Sequence, residues 1–315
     1  LESDQTVTID NSEGLMTGER RVACRVRLQV TCDENGRRFY NWEDYARPQG
    51  FEAFAQPDTC ADFARGLILR TRESMLAGSL PTCTVPVVLE AGSCGTLWHE
   101  SCGHALEASA IAMRHSAFAD KTGEKVASDK VTLLDDGTLP GLYGTSGIDD
   151  EGHPRQVNIL IENGILKSYL CDRFHGRLIG RASTGSGRRQ NYTFAPASRM
   201  SNTYLAAGQD DEDEMIRSVQ EGLFVRKIGG GTGGLQFSLE VKEGFLIKNG
   251  QVDRPVSGLM ITGSGIDVIK RIDRVGRNLV HEANGGFCGA ASGLVPTTSS
   301  QPRVRIAAMT VGGEG

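Results

Sequence analysis

Gln156-Val157-Asn158-Ile159-Leu160-Ile161-Glu162-Asn163-Gly164-Ile165-Leu166-Lys167-Ser168-Tyr169-Leu170 decides the fold. Two β-prone runs flank Asn163-Gly164, the dipeptide best suited to a two-residue hairpin whose central residues both need positive φ. Asn249-Gly250 repeats the device between residues 235–248 and 251–256. Neighbouring strands joined this tightly must be antiparallel, because a parallel pair needs a long crossover. With a few helices between the hairpins, the chain reads as α+β, mainly antiparallel, and not as a doubly wound parallel sheet.

Working outward, residues 5–10 and 21–32 read as strands. In the second, Val22, Cys24, Val26, Leu28, Val30 and Cys32 alternate with Arg21, Arg25, Arg27 and Gln29, which is a half-buried strand with its cysteines in the core. Asn11-Ser12-Glu13-Gly14 and Asn35-Gly36 supply turns. Helical spacing follows from 58 to 76 and stops at Gly78 and Pro81. Residues 38–57 read as an irregular surface connection. Residues 85–89 form a short strand, 131–134 another, 135–154 a glycine-heavy loop, 212–220 and 265–274 helices, and 303–311 a closing strand.

The chemistry is concentrated in Leu97-Trp98-His99-Glu100-Ser101-Cys102-Gly103-His104-Ala105-Leu106-Glu107, which continues from the strand at 85–89 through Ala91-Gly92-Ser93-Cys94-Gly95. Two imidazoles and an interposed carboxylate on a helix are the parts of a zinc hydrolase: the rings hold the ion and the carboxylate moves a proton. The usual spacing is H-E-x-x-H. Here it is H-E-x-x-x-H. At 3.6 residues per turn, positions five apart point about 140° away from each other, against about 40° for four apart. One ion collects both rings only if the helix widens into a π-bulge, which restores roughly 50° of separation, or breaks. Gly103 tolerates either distortion. Glu107, three residues past His104, is placed to orient that ring; the plain alternative is an exposed helix carboxylate.

Composition narrows the class. The chain has 315 residues, 39% hydrophobic, with 40 glycines and only 6% aromatics, so many turns are expected and a helical bundle is not. A net charge of −5 gives no nucleic-acid footprint. No apolar run is long enough to span a bilayer and no signal-peptide pattern is present, so a soluble, cytoplasmic protein is expected. Eight cysteines without a C-x-x-C pair fit free thiols in a reducing compartment. The chain begins at Leu1 and reads as a fragment of something longer.

Catalytic zinc keeps three protein ligands and an open position. Cys102 lies within the stretch that must distort, Cys94 sits in a turn, and Cys171 has no distinctive surroundings. Cys288 is bracketed by glycines in Asn284-Gly285-Gly286-Phe287-Cys288-Gly289-Ala290, which permits close backbone approach; His281-Glu282 competes with it.

His99-Glu100-Ser101-Cys102-Gly103-His104-Ala105-Leu106-Glu107 resembles the signature of the TldD/PmbA metallopeptidase family, on the TldD side. Asn11-Ser12-Glu13-Gly14, Arg199-Met200-Ser201-Asn202-Thr203-Tyr204, Gly222-Leu223, Gly285-Gly286-Phe287-Cys288-Gly289 and Thr310-Val311-Gly312-Gly313 agree with it in order. The resemblance implies Zn²⁺ held by His99, His104 and Cys288, Glu100 as general base, a peptide substrate, and a dimer formed with a PmbA-like subunit or with itself. It also implies that residues 1–80 are a remnant of an α/β N-terminal domain and that 81–315 are the β-rich catalytic domain. Arg199, Asn202 and Tyr204 become possible substrate contacts or oxyanion donors. The chain departs from the family pattern after Cys288-Gly289, where Ala290-Ala291-Ser292-Gly293 stands in place of a lysine and glutamine. The rival reading is a regulatory, partner-binding module of the gyrase-modulator kind with a structural zinc.

The glycine-rich segments 229–234 and 183–187 read either as flexible linkers or as places where strand edges bind an extended peptide through its backbone.

Overall fold

The computed structural model describes residues 1–34, 36–54, 57–282 and 285–313. Asn35, half of the expected Asn35-Gly36 turn, and Asn284, ahead of Cys288, lie outside the described residues.

The chain opens as an antiparallel meander of β1 (Glu2–Asp10), β2 (Met16–Glu34) and β3 (Arg37–Arg47), followed by α1 (Pro57–Met75). Helix α1 packs against β2 and β3 and buries Leu67. Residues 37–47 are therefore a strand, not the irregular connection that the sequence predicts. The reason is physical: β3 pairs with β2 residue for residue (Leu28↔Glu43, Val26↔Tyr45), and the side chains it buries are Asn41, Asp44 and the small Ala46, with no large aliphatic among them. A strand whose few buried positions are mostly polar and fall on both faces has no hydrophobic alternation to detect.

Beyond α1, β4 (Cys83–Leu89) enters the largest core. Then come β5 (Leu133–Asp136), β6 (Val157–Glu162), β7 (Ile165–Leu166), β8 (Gly187–Arg188), β9 (Ala197–Ser198), β10 (Asn202–Leu205), β11 (Glu221–Thr232), β12 (Gln236–Lys248), β13 (Gln251–Val256), β14 (Leu259–Ser264), β15 (Ile272–Val275), β16 (Gly286–Ala290), β17 (Gly293–Ser300) and β18 (Val304–Gly313). Both hairpin signals hold. Asn163 and Gly164 have φ of 49° and 81°, Asn249 and Gly250 51° and 74°, as their turns require. The helix expected over 265–274 stops at Val268, because Ile272 and Val275 are drawn into register with β18 and buried there. The helix expected over 212–220 ends at Arg217 and is N-capped by Asp211, whose carboxylate accepts the Glu214 N–H at 2.9 Å.

One sheet runs β16-β17-β10-β5-β6-β7. In another, β11-β4-β18-β14-β12 closes on itself through a further β11–β12 pairing, with β13 and β15 attached. Nearly all pairings are antiparallel, and the fold is α+β as the hairpins indicate. Strand β4 is apolar on both faces because both are covered: Val87 and Leu89 join the main core with Leu97, Trp98 and Ile306, while Val88 packs with Met215, Phe224 and Phe245. Each such side chain contributes about 1.5–3 kcal/mol of burial. This packing matters for function because β4 delivers the His-Glu segment and β16, at a sheet edge, delivers Cys288. Among the described residues no helix is long and apolar enough to cross a membrane.

Candidate metal centre

The chain leaves β4 through Gly92, passes one 3₁₀ turn at Ser93–Gly95 and a short α-turn at Thr96–Trp98, and then widens into a π-helix over His99–Gly103. The His104 N–H donates to the His99 carbonyl, five residues back. That bond takes up the extra residue in H-E-x-x-x-H and turns both rings to one side, their centroids 5.0 Å apart and nearly perpendicular. The segment tightens again at His104–Leu106 and breaks at Glu107, which is extended. Gly103 plays a different part from the one its sequence context suggests. Its φ of −56° is ordinary helix, so conformational freedom is not what it supplies. It is glycine because a Cβ there would overlap Met200 Sδ.

Cys288 on β16 meets these rings. His99 Nε2 lies 3.1 Å and His104 Nε2 3.2 Å from its Sγ, and the three donor atoms all fall within 4.8 Å of one another. Glu100 projects alongside, its carboxylate 4.0 Å from His104 Nε2 and partly open to solvent. Glu107 reaches the far side of the His104 ring, 3.2 Å from Nδ1. Among the described residues this is the one group of three such side chains able to share an ion.

The electrostatics follow from how closely these groups are packed. Burial alone raises the Cys288 thiol, but the adjacent His99 and His104 rings overcome it and bring it down to about 4. Burial likewise opposes charge on His104, and the Glu107 carboxylate and Cys288 outweigh it, raising that ring to about 11. A buried thiolate facing an imidazolium is what two metal ligands become when protons stand in for the cation. His99, 4% exposed, keeps a buried Nδ1 without a hydrogen-bond partner among the described residues. Two imidazole nitrogens and one thiolate form a borderline-soft donor set that suits zinc.

The other cysteines weighed for the third position are packed elsewhere. Cys94 donates toward the Val225 and Arg226 carbonyls, Cys102 faces Ser101 with its thiol pushed up to about 12 by burial, and Cys171 points at the Tyr169 carbonyl. His281 meets Tyr204 edge to face, ring centroids 5.4 Å apart.

A cleft of about 270 Å³ opens beside the donors, lined by His99, Glu100 and Cys288 together with residues from β2, β3, β11 and β12. Arg25 and Arg27 both bond the Asp44 carboxylate, at 2.5 and 2.8 Å. The Arg27 guanidinium and the Lys242 ammonium both approach the Trp42 ring, at 4.0 and 3.8 Å. Burial, with Lys227 nearby, lowers Lys242 to about 8. The sequence reading missed this wall; its only signal was the arginines alternating with the apolar residues of β2.

Arg199, Asn202 and Tyr204 are not among the cleft-lining residues. Arg199 is 1% exposed and spends its donors on Ser292 Oγ and on the Gly293 and Cys288 carbonyls. Asn202 is buried against Gly144, Asp136 and Thr145. Of the glycine-rich segments, Gly229 and Gly230 line the cleft, whereas 183–187 fold inward, with Thr184 bonded to Cys171 and Gly187 to Asp149.

Residues 82–313 match the PmbA/TldA metallopeptidase C-terminal domain, and the chain belongs to that family. It is 36% identical to the metalloprotease TldD homolog of Haemophilus influenzae, over 98% of this chain and 66% of that protein. A metalloprotease of Methanocaldococcus jannaschii is 31% identical over 94% of the chain and 65% of its own length. The chain thus spans just under two thirds of these relatives. Among solved structures, TldE from Thermococcus kodakarensis matches with a TM-score of 0.74 at 19% identity, covering 96% of this chain and 65% of that one. A putative modulator of DNA gyrase from Thermotoga maritima matches at 0.75 and 18%, covering 95% and 65%. At such identities these two likenesses show the fold.

Proposed function

We propose that the chain is the catalytic part of a zinc-dependent peptidase acting on short or unfolded peptides. The observation that carries the reading is the convergence of His99, His104 and Cys288 within 4.8 Å beside Glu100 and an open cleft. His99, His104 and Cys288 would hold the ion, which when bound supplies Lewis acidity and makes water more acidic. Glu100 accepts the proton of the attacking water and returns it to the leaving amine. Glu107 holds the His104 ring by its other nitrogen. The cleft wall formed by Gly229 and Gly230 offers backbone to an extended peptide, which favours recognition of main chain over sequence.

The rival is a partner-binding module with a structural zinc, a reading to which the gyrase-modulator title of one structural neighbour lends interest. Structural zinc is normally closed by four protein ligands. Three donors among the described residues, opening on a cleft, favour the enzyme. A division near residue 80, a cytoplasmic location, and assembly with a PmbA-like subunit or a second copy belong to the same proposal. The test is hydrolysis of an unstructured peptide by the chain, alone and with a PmbA-like subunit. Cleavage that a chelator stops and zinc restores is expected; stoichiometric zinc without cleavage in either arrangement would favour the module.

A further inference from the structure

Arg199, 1% exposed, is the most deeply buried arginine among the described residues, and hydrolysis as proposed gives it nothing to do. It stands between β9 and β10. One terminal nitrogen donates to the Cys288 carbonyl at 2.7 Å; the other reaches Ser292 Oγ at 2.8 Å and the Gly293 carbonyl at 3.2 Å. Its Nε lies 3.7 Å from Glu107 Oε1, and each of these two buried atoms lacks a hydrogen-bond partner among the described residues. The other oxygen of Glu107 is on His104 Nδ1. A closed circuit results: Arg199 to Glu107 to His104 to the Cys288 thiol, and back through the Cys288 carbonyl to Arg199.

We infer that Arg199 is a positioning residue that ties the two arms of the donor set, the π-helical segment and strand β16, into one rigid unit. Cys288 needs such a tie because β16 is five residues long, is paired only with β17, and carries glycines at 286 and 289. Strand pairing alone leaves that edge soft. A planar fork suits the task where an ammonium does not, since it engages carbonyls of β16 and β17 while its Nε faces a carboxylate. Burying the guanidinium is costly unless its charge is compensated, and Glu107 is the carboxylate that faces it.

The inference rests on the metal reading above, and the test separates the two. Zn²⁺ affinity is measured on the full chain by chelator competition, and the thiolate-to-Co²⁺ charge-transfer band is recorded with Co²⁺ alone. The variants are Arg199→Lys, Arg199→Met, Glu107→Gln and the double variant Arg199→Lys/Glu107→Gln. Each single change is expected to weaken zinc binding about 10–100-fold and to alter the Co²⁺ band. The double variant should be within about twofold of the weaker single, because both cut one circuit. Arg188→Lys is the control: that arginine is also buried nearby, but it donates to the Met200 carbonyl and touches no ligand. It should bind zinc within about twofold of the parent. If Arg199→Met does not fold, Arg199→Lys carries the comparison by its spectrum. Parental affinity and spectrum in folded Arg199→Lys, additive losses in the double variant, or an equal loss in Arg188→Lys would overturn the inference. No metal binding by the parent would overturn the metal reading itself.

Discussion

The His104 N–H bonds the His99 carbonyl, skipping the nearer acceptor at Glu100. One hydrogen bond of this reach converts two imidazoles on opposing faces of a regular helix into a pair that shares a thiolate. A π-turn is a poor structure in isolation, so it must be held from outside.

Met200 Sδ against Gly103 is part of that hold. Gly103→Ala is expected to destabilise the protein by about 1–3 kcal/mol through overpacking and to displace His104, its chain neighbour. Met200→Ala removes the obstructing sulfur. The double variant should recover metal binding relative to Gly103→Ala, although the Met200 cavity costs stability of its own. Denaturant unfolding and zinc titration of all four proteins check this. Strictly additive effects on both readouts would mean that Met200 does not constrain the turn.

Much of this was legible in the residues because local signals coincide there with local structure. Asn163-Gly164 and Asn249-Gly250 specify their turns chemically, and the five-residue spacing of His99 and His104 leaves a helix little choice but to widen. Cys288 could be ranked ahead of the other cysteines by residues alone but not chosen, because what selects it is a contact across 184 residues of chain. Strand β3 stayed hidden since it buries Asn41 on one face and Asp44 on the other, groups that no alternation rule counts as buried. Arg199, Asn202 and Tyr204 stood out as polar residues in a recognisable run, yet sequence cannot say that the guanidinium of Arg199 turns inward to hold Cys288.

Glu100 lies beside the His99, His104 and Cys288 cluster and lines the cleft. Glu100→Gln preserves shape and removes the proton acceptor. Peptide hydrolysis should fall by at least about 10²–10⁴-fold with zinc content unchanged. Turnover at the parental rate in the purified, zinc-loaded variant would exclude the proton-transfer role.

Loading the site should release protons, and the donor pKa values say from where. At pH 7 the metal-free Cys288 is already a thiolate, with a value of about 4, while His104, at about 11, still carries the proton that zinc must displace. His104 therefore contributes about one proton per ion, and zinc affinity climbs with pH through the neutral range. Calorimetric titrations in buffers of different ionisation enthalpy measure the number directly. No net proton release at pH 7 would contradict the thiolate–imidazolium pair.

Asp44 gives a pH test of the cleft wall that is independent of metal. Burial raises its pKa, but hydrogen bonds from Arg27 and Arg25 prevail, and the folded value lies below the ordinary 3.8. A depressed carboxylate contributes stability that is fully present above its unfolded pKa and is lost as pH falls through the folded value. Asp44→Asn should therefore destabilise the metal-free protein by about 1–3 kcal/mol at neutral pH, since two guanidinium groups lose their shared acceptor. The lower end of that range is expected, because Arg27 remains 46% exposed and water can replace part of the interaction. The gap between parent and variant should begin to narrow as pH drops below 3.8, where the unfolded carboxyl takes up its proton, and close once pH passes the lower folded value, where the parental carboxyl is itself neutralised. Urea unfolding across this range decides it: a difference that persists unchanged at low pH would assign the effect to packing around Asp44 and not to its charge.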